Sequence, residues 1–257
     1  VIIIPSTMKE AAIINVLKKE GENDKALDLL KSTLSNKSKR AQIKKTSEEG
    51  ENGGFAWLKA TGYSSMRITS SADYPELVGK YLSQIAEEKK MDPFDLVCDL
   101  IINTEESSYI TLGGINEKDV QTLLLQPWNM VASDGTFVKH STSSGGHPRS
   151  TGTFPRVLGH YTRDLKLLSL EEAIRKMTSL PADVVGFKNR GRIKNGLPAD
   201  IVIFNPETII DNSTFEQPNL YSSGVIHVFV NGVSVMQNEK MTGNAPGKYL
   251  SLISKNK

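Results

Sequence analysis

The chain has 257 residues, 38% of them hydrophobic and 23% charged. That is enough apolar material for one large domain or two modest ones, and it excludes wholesale disorder. A net charge of +2 speaks against nucleic acid or an anionic membrane as partner, and the single cysteine, Cys98, excludes an internal disulfide and a thiolate metal cluster. No apolar run approaches the roughly 20 residues of a bilayer span. Val1-Ile2-Ile3-Ile4-Pro5 is too short, and lacks the cationic leader, to be a secretion signal, so a cytoplasmic location is the expectation. A first residue other than methionine suggests a truncated product, and processing would look the same.

Met8 to Lys19 carries Ala11, Ile14 and Leu17 at helical spacing, and Asn23-Asp24 caps a second helix through Leu34. The basic run Lys37 to Lys45 reads as a solvated helix face, since it lacks the interleaved aromatics that stack bases. Phe55 to Leu58 reads as a strand and Tyr63 to Ser70 as a loop or second strand. Tyr74-Pro75 opens a helix with Leu77, Tyr81, Leu82 and Ile85 on one face. Asp92 is a candidate N-cap with Pro93 at the first helical position, and Cys98 falls inside that helix as a core residue. Tyr109 to Leu112 is a short strand and Asn116 to Leu125 a helix stopped by Pro127. The apolar run Trp128 to Ala132 then ends in Ser133-Asp134-Gly135 and reads as a buried strand. This alternation of helix and strand predicts parallel βα units.

Beyond a Ser/Gly loop, Phe154 to Asp164 is helical, and Ser169-Leu170-Glu171-Glu172 is a capping box ahead of Ala173, Ile174 and Met177. Pro181-Ala182-Asp183 starts a short helix that ends at Gly186. After Gly186 the texture becomes β: Ala199 to Phe204, Val225 to Val230, the hairpin signal Asn231-Gly232, and Val233 to Met236.

The chemistry-bearing residues are sparse. The four histidines, His140, His147, His160 and His227, show neither a His-x-His pair nor the i, i+4 spacing of a metal helix. Nucleophile, phosphate-loop and dinucleotide motifs are absent. Asp134, at the predicted C-terminal end of a strand, is either a turn cap or a general base beside a metal-bound water. Arg149 offers a planar fork for a carboxylate or is an ordinary loop arginine, and His147 is held close to it by Pro148.

Several segments together closely resemble the N-acyl-D-amino-acid deacylase (D-aminoacylase) family of the amidohydrolase superfamily. They are Ser133-Asp134-Gly135, His147 to Gly159 (HPRSTGTFPRVLG), Leu168 to Ala182 (LSLEEAIRKMTSLPA), Gly191 to Asp200, Phe215 to Pro218 and Val230-Asn231-Gly232. The resemblance covers about half the chain, with a weaker match at Trp57 and at Gly79 to Leu100. It implies an α/β fold: the last strands of a (β/α) TIM-type barrel over residues 1–187 and part of a small β-sandwich over 188–257. It implies zinc-dependent hydrolysis of the amide of a small-molecule N-acyl-D-amino acid, with Asp134 as catalytic aspartate and metal ligand, and Arg149 and His147 at the substrate. The family's His-x-His pair and mid-barrel ligands are missing, so most zinc ligands are expected outside this chain, which alone would be inactive. The rivals are another amidohydrolase, such as a dihydroorotase- or hydantoinase-like cyclic amidase, and a degenerate, non-catalytic binding module.

Overall fold

The computed structural model describes residues 8–50, 56–105, 108–136 and 146–251. They form two compact units, Val1–Gly114 and Ile115–Lys257. No helix among the described residues is long and apolar enough to cross a membrane.

The first unit opens with three helices, α1 (Lys9–Lys19), α2 (Asn23–Ser35) and α3 (Lys37–Glu49). Ile43 of α3 is fully buried, in one core with Leu34, Met66, Ile85, Phe94 and Cys98. The basic run in α3 is therefore amphipathic, and it is also less free than a solvated face. The Arg40 guanidinium donates to the Asp95 carbonyl (2.7 Å) and to Asp99 Oδ1 (3.0 Å), and Lys44 Nζ lies 2.6 Å from Asp92 Oδ2. These acids belong to α6 (Pro93–Ile102), whose N-cap Asp92 accepts the amides of Phe94 and Asp95 as the sequence predicts. Burial pushes the Cys98 thiol up to about 11, so it stays an inert core thiol.

Three expectations fail in this unit. Trp57 begins a short helix, α4 (Trp57–Thr61), not a strand, and Phe55 lies outside the described residues. Short apolar runs do not distinguish the two states, and Gly62, at φ 69°, ends this one as a helix. The helix expected from Tyr74 is instead a single 3-10 turn, Pro75–Leu77, followed by α5 (Leu82–Lys89). Between them the backbone of Gly79 and Lys80 bonds to Ile68 of strand β1 (Met66–Ser70), which outcompetes a continuous helix. Finally, β1 and β2 (Tyr109–Leu112) pair antiparallel, Met66 opposite Leu112. The helices between them do not make a parallel crossover.

The second unit begins with α7 (Glu117–Leu124), capped by Asn116. A helix α8 (Arg149–Arg156) runs directly into a π-helical stretch, Val157–Asp164. Then come α9 (Leu170–Met177), with the Glu172 amide 3.2 Å from Ser169 Oγ, and α10 (Ser179–Val185), ended by Gly186 at φ 95°. The Glu172 side chain bonds Arg175 (2.7 Å). Gly159 packs directly on a neighbouring backbone: a Cβ there would stand 2.3 Å from the Ile209 carbonyl oxygen. The β end of the chain is an antiparallel meander, β3 (Ile201–Phe204), β4 (Val225–Val230), β5 (Val233–Gln237) and β6 (Lys240–Met241). Asn231 (φ 49°) and Gly232 (φ 79°) make the expected tight turn between β4 and β5. No parallel strand pair occurs among the described residues.

The predicted strand Trp128 to Ala132 is not a strand. Pro127 and Trp128 occupy a turn closed by Asn129 N–H to the Gln126 carbonyl (3.1 Å), and the chain runs on through Thr136 without regular structure or a sheet neighbour. A strand needs a partner's ladder, and here helix α9 takes its place. Lys176 is 0% exposed; its ammonium donates to the carbonyls of Gln126 and of Asn129 (3.2 Å), and its own carbonyl accepts the Val131 amide (3.2 Å). Arg175 donates to the Pro127 carbonyl (2.8 Å).

Candidate functional site

Asp134 sits in a loop at φ 47°, in the left-handed region that aspartate tolerates better than most residues. The loop folds against the first turn of α8. Thr136 N–H approaches Ser150 Oγ at 3.3 Å, and Gly135 N–H reaches Ser133 Oγ at 3.2 Å. Gly135 is required there, because a Cβ would lie 2.8 Å from the Ser150 Cα.

This approach brings two of the expected side chains together. Arg149 Nη1 lies 2.9 Å from Asp134 Oδ2, and the aspartate nevertheless remains 84% exposed. His147 precedes the helix and caps it, its Nδ1 accepting the Arg149 amide at 3.1 Å. In the neutral ring Nε2 then carries the proton. Burial, with the neighbouring Arg149 charge adding to it, holds the His147 pKa below the usual histidine value against a partial pull upward from Asp134. Phe215 meets the ring edge-on at 5.3 Å. The corner is braced from behind: Ser213 Oγ donates to the Pro148 carbonyl (3.1 Å), and at Gly152 a Cβ would lie 2.6 Å from Ser213 Oγ.

The other histidines do not converge here. His160 lies in the π-helical stretch, edge-on to Tyr161 at 4.9 Å, and His227 Nδ1 accepts the Asn238 amide at 3.4 Å. His140 lies outside the described residues. No group of three or more His, Cys, Asp or Glu able to hold a metal occurs among the described residues.

Sequence reasoning missed Lys176, Ser150 and Gly135 as parts of this corner. Lys176 had a signal: it is a cation three residues after Ala173, on the inward face of an amphipathic helix, where only a paired ammonium is tolerated. Ser150 and Gly135 had none, because their contacts join segments with no local periodicity.

The corner is therefore a solvated carboxylate beside a guanidinium fork and a neutral imidazole, a set suited to proton transfer next to a bound anion. The chain is 40% identical over 184 residues to the D-aminoacylase of Alcaligenes xylosoxydans xylosoxydans, an alignment covering 72% of this chain and 36% of that protein. A solved D-aminoacylase structure, described as defining a novel subset of amidohydrolases, superposes with a TM-score of 0.60 at 40% identity, over 70% of this chain and 36% of that one. The N-acyl-D-glutamate deacylase of Bordetella bronchiseptica, solved with zinc and a phosphonate mimic of the tetrahedral intermediate, gives 0.59 at 35% identity over the same shares. The chain thus spans little more than a third of the length of these relatives, and its fold is the mixed α/β fold of their matching portion. With the amidohydrolase family model also matching residues 78–236, well over half of its length, this chain belongs to the amidohydrolase family.

Proposed function

We propose that this chain supplies the Asp134–Arg149–His147 corner of an active site that hydrolyses the amide bond of small N-acyl-D-amino acids. One observation carries the reading: a carboxylate tied to an arginine fork at 2.9 Å yet 84% open to solvent, inside the span matched by the family. A capping aspartate has its oxygens taken up by amides; this one keeps most of its surface for something else.

In the proposed reaction the Asp134 carboxylate removes a proton from the attacking water as oxygen bonds to the acyl carbon. It then returns that proton to the amide nitrogen as the carbon–nitrogen bond breaks, giving a carboxylate and the free D-amino acid. Arg149 has five N–H donors, enough to keep Asp134 while receiving the substrate's α-carboxylate. His147 Nε2–H is a donor for a substrate oxygen.

Zinc belongs to the proposal for the whole enzyme, by analogy with the zinc-bound relative. In such hydrolases it supplies a more acidic water. The described residues do not by themselves fit a zinc site: Asp134 is one ligand where three or four are needed, so the remainder would come from polypeptide outside them. In the same reading residues 1–187 belong to the C-terminal part of a (β/α) barrel and 188–257 to a β-sandwich, in a cytoplasmic enzyme. The alternative that the test must separate from this one is a non-catalytic module of amidohydrolase descent. The test is the chain extended to its relatives' length and loaded with zinc. It should release amine from N-acetyl-D-amino acids and spare the L-enantiomers and cyclic amides. No release with zinc bound overturns the assignment.

A further inference from the structure

We infer that Lys176 is a positioning residue for Asp134, which rests on the reading above for its chemical meaning but not for its test. The segment that delivers Asp134 has no regular structure and no sheet to hold it. Its near end is held instead by side chains of α9: Arg175 donates to the Pro127 carbonyl (2.8 Å), and the buried Lys176 Nζ donates to the carbonyls of Gln126 and of Asn129 (3.2 Å), with Glu172 Oε1 at 3.5 Å. The Val131 amide closes on the Lys176 carbonyl at 3.2 Å. The far end is held by α8, through Thr136 to Ser150 and Asp134 to Arg149. Two residues, Ala132 and Ser133, separate the last contact with α9 from the Arg149 pair, so a slip at Lys176 moves the carboxylate off its partner.

A fully buried lysine is costly unless its charge and all three donors are answered. A methionine of similar length would fill the same space in α9. The ammonium is specific in what it does: it answers the Asn129 carbonyl and adds a second donor to the Gln126 carbonyl, which also accepts the Asn129 amide.

The experiment uses this chain in solution. Arg149 Nε–H is followed by NMR in the wild type, in Lys176→Met and in Asp134→Asn, the last defining the signal of an unpaired Arg149. The expected result is that Lys176→Met moves the Arg149 signal most of the way to its position in Asp134→Asn, while amide signals of the β meander stay in place. An Arg149 signal unchanged in Lys176→Met overturns the inference, because a merely structural lysine would alter stability without touching that pair. Should Lys176→Met fail to fold, wild-type hydrogen exchange decides. The Val131 amide should exchange on the order of 100-fold more slowly than an open loop amide, together with α9. Exchange at the open-loop rate overturns the inference. Neither measurement uses deacylation, so an inactive chain leaves both intact, and their failure leaves the substrate assignment where it stood.

Discussion

Two charged clusters in this molecule look alike on paper and differ in what they leave free. In the first unit Arg40 and Lys44 meet Asp92, Asp95 and Asp99, with Asp92 also capping α6. Every carboxylate there has a helix to hold together. In the second unit Arg149, the first residue of α8, meets Asp134 on a loop, and the aspartate caps no helix and keeps most of its surface in water. The first cluster spends its charge on packing α3 against α6. The second has charge and hydrogen-bonding capacity left over, which is what a substrate requires. Ion pairing alone does not mark a functional site; what sets this pair apart is a carboxylate left 84% exposed inside the span that the family model matches.

The comparison breaks if the two clusters respond alike to substitution. The largest expected effect is on rate. Asp134→Asn in the zinc-loaded, full-length enzyme should lower kcat by on the order of 10²- to 10⁴-fold, the usual contribution of a positioned acid–base group. Its melting temperature should stay within about 2 °C, since asparagine accepts a positive φ and an exposed carboxylate adds little to stability. Next comes Gly159→Ala, which forces the π-helical stretch off the Ile209 carbonyl. The clash outweighs the helix propensity gained, and a loss of about 3 kcal/mol should appear as a lower midpoint in denaturant.

Asp92→Ala should cost about 1–2 kcal/mol by releasing two amides and Lys44, with no change in rate per folded molecule. Burial opposes ionisation of Asp92, but Lys44 and the amides of Asp95 and Phe94 outweigh it and hold the pKa below the usual carboxylate value. Asp92 therefore stabilises fully above about pH 4 and loses that contribution as pH falls through its lowered folded pKa, a slope that Asp92→Ala removes.

The smallest effect is at His147. Its folded pKa is lowered, so the native state takes up a proton less readily than the unfolded chain. Its contribution is complete above the unfolded value of about 6.5 and declines as pH falls toward the folded value. Arg149→Ala should raise the His147 pKa and Asp134→Asn should lower it, both by fractions of a unit in an NMR titration. Equal shifts of one sign would break the electrostatic picture of this corner.

What the sequence made legible was mainly local. Asp92, Asn116 and Ser169 act as the caps that their side chains suggest, and Asn231-Gly232 makes its turn. Segment-by-segment resemblance carried the family. The failures share a cause: each element depended on a partner remote in sequence. Trp128 to Ala132 has strand composition, but its hydrogen bonds go to a lysine more than forty residues on. The β1–β2 direction is set by register, which alternation of helices and strands does not encode. Val157 to Asp164 was legible as helix but not as π-helix, because its i→i+5 bonding has no side-chain signature of its own. At the site, Asp134, Arg149 and His147 were visible as residue types, while the contact between the first two depended on Gly135 and Ser150.

The most direct measurement is the enantiomer-resolved release of amine from N-acetyl-amino acids by zinc-loaded, full-length protein, run beside its Asp134→Asn variant. D-selective hydrolysis that collapses in the variant, with the fold unchanged and zinc supplied in excess to both proteins, is the predicted result. Hydrolysis that survives loss of the Asp134 carboxylate would contradict the account at its centre.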